Sequence, residues 1–232
     1  MAIDVPGQPP LGGVRIGSRR LPPVLAGAGL ASIGIALILA VGLSIDRWPL
    51  SFDTSIVLGL RHWGGPVWLR HAAVDITALG GVTVLTIVVI ATAALLLAER
   101  LWLTAAATIV SCWSVSWAVE VLKVTIARPR PSIVPHLVEV QNASFPSGHA
   151  AGSAAVYITL AALATQVLKQ SATRRTVVIL AILLVGAIGC SRVYLGVHWP
   201  SDVLAGWSFG TLWALGWWIA TAKARVAIGG ER

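Results

Sequence analysis

The chain has 232 residues, 56% of them hydrophobic and 11% charged, with a formal net charge of +8 and a mean hydropathy of +0.83. This composition excludes an ordinary soluble domain and describes a polytopic membrane protein, with room for one bundle of helices of about 20 residues each. The positive balance does not point to nucleic acid, because the basic residues flank apolar runs instead of forming a patch.

Residues 1–21, rich in Pro, Gly and Arg, read as a mobile tail without the apolar core of a cleaved signal peptide. A first span is predicted over 22–45. Residues 46–75, interrupted by Trp48, Pro49, Gly64, Gly65 and Pro66, read as an outer loop with one or two helices at the interface, anchored by Trp63 and Trp68. His62 and His71 fall in that loop and suit headgroup contact. Further spans are predicted at 76–98, 101–124, 149–168, 176–193 and 203–222, with Glu99-Arg100 as a tight turn and 225–232 as a second tail. Cys112 and Cys190 sit inside apolar runs, which suits packing and neither a disulfide nor a metal site. Gly206 and Gly210, four residues apart, let a neighbouring helix of the bundle approach closely. The tryptophans at 48, 102, 199, 217 and 218 lie near span ends and read as interfacial anchors. The expected fold class is therefore all-α, a single domain over 22–224 with six transmembrane helices.

Orientation follows from the basic residues. With the N-terminus inside, Arg15, Arg19, Arg20, Arg100, Lys169, Arg174, Arg175, Lys223, Arg225 and Arg232 all fall on the cytoplasmic side. Both termini are then cytoplasmic in a multi-pass plasma-membrane protein. Three polar clusters share the opposite, outer face: Lys123 to Pro131, Phe145 to His149, and Ser191 to Asp202. Ionisable groups are costly at a membrane boundary, and three clusters on one face are most economically read as one site.

Each cluster has a chemical use. Lys123 lies on the last turn of its helix before the prolines at 129 and 131 force the chain away, and Arg130 offers a planar, bidentate grip on phosphate oxygens. Ser147 is a good N-cap, Gly148 permits close backbone approach, and the free N–H groups of that helix start favour an anion. His149 stands beside the anion as a proton donor or acceptor. Arg192 adds a third fixed positive charge. His198 precedes a helix that starts at Pro200, and Asp202 one turn on can hold the imidazole in one tautomer. Glu120, one turn before Lys123, suits a pairing role. His136 reads as solvated and Asn142-Ala-Ser144 as plain loop.

Lys-x6-Arg-Pro (Lys123 to Pro131), Pro-Ser-Gly-His (Pro146 to His149) and Ser-Arg-x5-His-x3-Asp (Ser191 to Asp202) together resemble the three signature motifs of the type 2 phosphatidic acid phosphatase superfamily, which includes lipid phosphate phosphatases and vanadium haloperoxidases. The resemblance implies that His198 attacks phosphorus, Asp202 orients His198 and His149 protonates the leaving oxygen. It also implies that Lys123, Arg130, Ser147, Gly148 and Arg192 hold the phosphate. Arg128 also precedes a proline and is a second-rank candidate for the same task. The implied substrate is a lipid phosphomonoester or pyrophosphate such as phosphatidic acid, phosphatidylglycerol phosphate or a polyprenyl pyrophosphate. No metal or other cofactor is expected, since Lys and Arg meet the phosphate charge. Transfer of the phosphoryl group to an alcohol acceptor is the leading alternative, and non-catalytic lipid binding is a weaker one. Halide oxidation sits poorly with transmembrane spans.

Overall fold

The computed structural model describes residues 23–45 and 49–228; the expected tail at 1–21, and Arg47, Trp48 and Arg232, lie outside the described residues. Among the described residues the fold is all-α, with no strand. Its helices are α1 (Pro23–Ile45), α2 (Ser51–Trp63), α3 (Val67–Ala78), α4 (Val82–Ala98), α5 (Trp102–Ile126), α6 (Gly148–Val167), α7 (Ser171–Tyr194) and α8 (Pro200–Ala227). Helices α5, α6, α7 and α8 are each long and apolar enough to cross a membrane. The pair α3 and α4, bent by 46° between them, adds a fifth if counted as one span. Around the bundle Leu30, Ile90, Leu95, Trp113 and Leu183 are between 62% and 72% exposed. Water would penalise that much apolar surface, whereas lipid accepts it, and the chain is an integral membrane protein.

Most expected span ends shift by a few residues, α7 starting at Ser171 rather than 176, and two differences go further. The run at 76–98 is not one helix, because α3 ends at Ala78 and α4 begins at Val82. Gly80 sits at the break, where an added Cβ would stand 2.5 Å from Ile188 Cγ2 and 3.3 Å from the His149 carbonyl oxygen. The Gly-Gly pair thus trades helical continuity for a close approach of the bend to α6 and α7. The residues expected to form a C-terminal tail begin inside α8, which continues to Ala227 with Arg225 buried. The stretch 46–75, expected to carry one or two helices, holds α2 and most of α3.

The tightest seam joins α6 and α8. Ala150, Ala151, Ala154 and Ala155 are all fully buried on α6. An added Cβ on Gly206 would come within 2.7 Å of the Ser147 carbonyl oxygen, and one on Gly210 would overlap the Ala151 carbonyl. The small-residue spacing therefore serves packing inside the bundle. Leu25, Ile158, Val178, Val185 and Ala214 extend this core to α1 and α7.

Candidate active site

The start of α8 places the central histidine. Trp199 is the N-cap, Pro200 occupies the first turn, and the Asp202 carboxylate accepts the Trp199 N–H at 2.9 Å. His198 is held just outside the helix, 1% exposed, with its Nδ1 3.4 Å from Asp202 Oδ2. Arg130 Nη1 lies 3.1 Å from the other ring nitrogen, Nε2. A guanidinium only donates, so Nε2 carries the lone pair and Nδ1 the proton that faces Asp202. Burial, then the charges of Arg130, Arg192 and Lys123, hold the His198 pKa well below that of an ordinary imidazole. The ring is neutral near pH 7, with a lone pair on the nitrogen that Arg130 contacts.

Arg130 is held by neutral acceptors. It donates to Val197 O at 2.7 Å, Asn142 O at 3.1 Å and Gln141 O at 3.0 Å. These bonds fold the connection between α5 and α6 back over the site. That connection begins where Ala127 closes α5 in a left-handed conformation, φ 49°. At its far end Ser147 caps α6, its hydroxyl accepting the Ala150 N–H at 3.5 Å. The Ser147 N–H donates to Asp202 O at 3.0 Å, tying the first turn of α6 to that of α8. An added Cβ on Gly148 would lie 3.8 Å from Lys123 Nζ, which places the ammonium over the N-terminus of α6. Arg192, buried in the last turn of α7, donates to Thr77 Oγ1 at 3.2 Å.

Lys123, Arg130, Gly148, His149, Arg192 and His198 all line one cavity of about 1070 Å³. Its remaining wall is largely apolar, formed by residues such as Leu85, Val89, Ala93 and Leu97 on α4 and Ile109, Cys112 and Val115 on α5. From Lys123 to Ile109, 14 residues along α5, the wall runs roughly 21 Å at about 1.5 Å per residue. Among the described residues Lys123, Arg130 and Arg192 make no ion pair with a carboxylate within 4.0 Å; the close ion pairs there are Arg128–Asp53, Arg128–Asp202 and His198–Asp202. Unpaired positive charge at one end of a long apolar cavity calls for an anionic amphiphile. Among the described residues no group of three or more His, Cys, Asp or Glu side chains is placed to hold a metal ion.

Several residues behave differently from the sequence reading. Arg128 faces away from the cavity, 4% exposed, and bonds Asp202 Oδ1, Ser201 Oγ and Asp53. Asp53, on α2, was not singled out by any motif, yet it is fully buried beside the start of α8. Trp199 is no interfacial anchor: it is 5% exposed, lies under the Arg128 guanidinium and donates to Pro129 O at 3.1 Å. Asn142 to Ser144 is loop, as expected, but Ser144 is fully buried, its hydroxyl shared between the Arg128 and Pro129 carbonyls. His136 is exposed, as expected, with the Pro131 carbonyl 2.7 Å from its Nε2. Glu120 lines the cavity beside Lys123 without forming a close ion pair with it. Cys112 and Cys190 are both free thiols.

The sequence and the fold match known proteins. Residues 101–225, more than half of the chain, match the family described as the PAP2 superfamily. A Bacillus subtilis protein described as phosphatidylglycerophosphatase B is 44% identical over 94 residues, 40% of this chain and 46% of that protein. The matched stretch thus spans less than half of that relative's length. The fold superposes on the crystal structure of a transmembrane PAP2-type phosphatidylglycerolphosphate phosphatase from Bacillus subtilis with a TM-score of 0.72 and 29% identity, covering 86% of this chain and 96% of that one. It also shares its fold with LpxE of Aquifex aeolicus, at a TM-score of 0.58 and 21% identity over 74% of this chain and 97% of that one. With the family match running from the start of α5 almost to the end of α8, and all three motifs inside it, the chain belongs to the PAP2 superfamily.

Proposed function

We propose that this protein is a membrane lipid phosphatase that removes the terminal phosphate of a lipid phosphomonoester or pyrophosphate through a phosphohistidine at His198. The observation that carries the proposal is the cavity, with two histidines and three cations that make no close ion pair among the described residues at one end, and an apolar passage between α4 and α5 for the rest. An apolar length of roughly 21 Å exceeds the ~15 Å of one hydrocarbon leaflet, enough for a lipid tail. Lys123, Arg130, Arg192 and the free N–H groups of α6 hold the phosphate oxygens and stabilise the charge that builds on them in the transition state.

His198 Nε2 then attacks phosphorus, and as the N–P bond forms the bond from phosphorus to the lipid oxygen breaks. His149, protonated for this half, gives its proton to the departing oxygen. In the second half a water gives a proton to His149 and attacks phosphorus, the N–P bond breaks, and free phosphate leaves. Asp202 keeps the proton on Nδ1 throughout and steadies the charge the ring gains.

The proposed topology has six spans, the sixth supplied by α1, with the N-terminus inside and the site on the extracytoplasmic side. A Cys at exposed Ser132, in a variant lacking Cys112 and Cys190, then reacts with an impermeant thiol reagent in intact cells. Labelling only after the membrane is opened reverses this topology. The function itself is tested with purified protein and phosphatidylglycerol phosphate, phosphatidic acid, diacylglycerol pyrophosphate and polyprenyl pyrophosphate, scored by phosphate release. Release from at least one, insensitive to EDTA and absent in His198→Ala, supports the proposal. Lipid binding without release, or a requirement for magnesium, overturns it. The relatives make phosphatidylglycerol phosphate the first lipid to try.

A further inference from the structure

Behind His198, on the side away from the cavity, lies a buried chain of charges. Asp53 Oδ2 accepts from Arg128 Nη2 at 2.9 Å and from Ser201 Oγ at 2.6 Å, and its Oδ1 accepts the Ser201 N–H at 2.8 Å. Arg128 Nη1 donates to Ser201 Oγ at 2.9 Å and to Asp202 Oδ1. The other oxygen of that carboxylate, Oδ2, serves Trp199 N–H and His198 Nδ1. Asp53, Ser201 and Asp202 are each fully buried. We propose that Asp53 is a positioning residue for the reaction, setting the Asp202 carboxylate behind His198 by holding Arg128 and Ser201. The proposal rests on His198 being the nucleophile, as argued above.

The physical case is a division of labour between two oxygens. Arg128 claims Oδ1 of Asp202, so the carboxylate cannot rotate and Oδ2 stays toward the imidazole. A guanidinium bonded to Asp202 alone would drain that carboxylate as an acceptor, because charge-assisted bonds compete for the same lone pairs. Asp53 takes the second Nη and shares the positive charge. Two carboxylates and one guanidinium leave a net negative charge behind His198, which stabilises the cationic ring of a phosphohistidine. A neutral Asn at 53 removes that charge. It also places an NH2 against either the Ser201 N–H or the Arg128 and Leu50 N–H groups, since every partner of the carboxylate is a donor.

The test uses full-length protein in detergent, with rates expressed per folded active site, for Asp53→Asn, Asp202→Asn and the double variant. Asp53→Asn is expected to lower kcat by about 10–100-fold, the range for outer partners of an oriented histidine, with KM unchanged and the same loss for aryl and alkyl phosphates. The double variant is expected to be no slower than Asp202→Asn alone, because Asp53 acts through Asp202. Wild-type kcat in folded Asp53→Asn, or a loss that multiplies in the double variant, overturns the proposal. Should Asp53→Asn fail to fold, Ser201→Ala removes only the bridging hydroxyl. It must then show a smaller kcat loss with the same lack of additivity toward Asp202→Asn, and additivity overturns the proposal. Imidazole NMR of His198 separates this idea from the catalytic reading. If wild-type protein releases no phosphate the catalytic reading fails, while a changed Nδ1–H signal in Asp53→Asn still supports the positioning. An unchanged signal sinks it.

Discussion

The seam between α6 and α8 and the wall between α4 and α5 are built on opposite rules. On the seam, backbone meets backbone: Gly206 and Gly210 leave no space for a side chain, and the facing alanines are fully buried. It is this contact that sets the Ser147 N–H 3.0 Å from the Asp202 carbonyl and so joins the proposed phosphate cradle at the start of α6 to the start of α8 beside His198. Across the cavity, α4 and α5 enclose space instead of filling it, and the residues that line it are mostly apolar with few polar partners. The reacting atoms need fixed geometry, since small displacements are costly in rate. A lipid tail needs only room. The molecule is tight where the proposed chemistry is done and open where the proposed lipid chain would lie.

The largest expected effect comes from reversing that contrast. Gly210→Leu forces a side chain into the Ala151 backbone, which cannot yield as a flexible side chain would, and overpacking commonly costs about 1–3 kcal/mol even where it can. Loss of folded protein is expected, read by size exclusion and thermal melting. Ser116→Trp puts a far larger group on the open side, at an exposed position on the cavity wall whose hydroxyl bonds only within its own helix. It should melt like the wild type and raise KM for long-chain lipids about tenfold, equivalent to roughly two buried methylenes, while leaving a short-chain soluble phosphate unaffected. A folded Gly210→Leu, or equal losses for long and short chains in Ser116→Trp, breaks the comparison.

Next in size are the two histidines at the junction of the two regions. His198→Ala removes the only proposed route to a phosphoenzyme and should be inactive with every substrate. His149→Ala should lose about 10²–10⁴-fold with alkyl leaving groups yet still give a burst of nitrophenol from p-nitrophenyl phosphate, whose anion leaves without a proton. Slow later turnover follows, because the same residue activates water. A burst in His198→Ala, with none in His149→Ala for any leaving group, exchanges the two assignments.

Much of this was legible in the sequence because the site is made at helix ends, where prolines, a serine cap and a few charges mark both position and role. Lys123, Arg130, Gly148, His149, Arg192 and His198 line one cavity, with Ser147 and Asp202 buried just behind, because the boundaries at Pro129, Ser147 and Pro200 bring three helix termini together. What was not legible depended on distant contacts. Arg128 and Arg130 are each followed by proline; the spacing from Lys123 selects Arg130, but what Arg128 does instead, bonding Asp53 and Asp202 behind the cavity, depends on tertiary partners. Asp53 lies 148 residues before Ser201, inside a stretch whose composition suggested an interfacial helix. Trp199 reads as an anchor by its position and is buried by its neighbours. The bend at Gly80 had a local signal in the Gly-Gly pair, but the apolar run on both sides concealed it.

The smallest expected effect is a shift in pH dependence, and it probes how the site's cations set the nucleophile. As the proposed nucleophile, His198 attacks only when neutral, which it is above its own pKa. Burial first, then Arg130, Arg192 and Lys123, lower that pKa from the ordinary 6.5, so the acid limb of kcat/KM due to the enzyme lies below that value and activity extends into mild acid. Arg130→Gln removes the cation in contact with Nε2. The pKa of His198 should then rise, and the acid limb should move to higher pH by up to about one unit, the lower end of what a neighbouring charge does. Overall rate is expected to fall as well, because Arg130 is also proposed to hold the phosphate, so profiles are compared after normalising each to its plateau. A phosphomonoester substrate has its own ionisation near pH 6, but it is common to both enzymes and cancels in the difference. A limb that stays in place, or moves to lower pH, means that burial alone sets the state of His198 and that Arg130 acts on the substrate only.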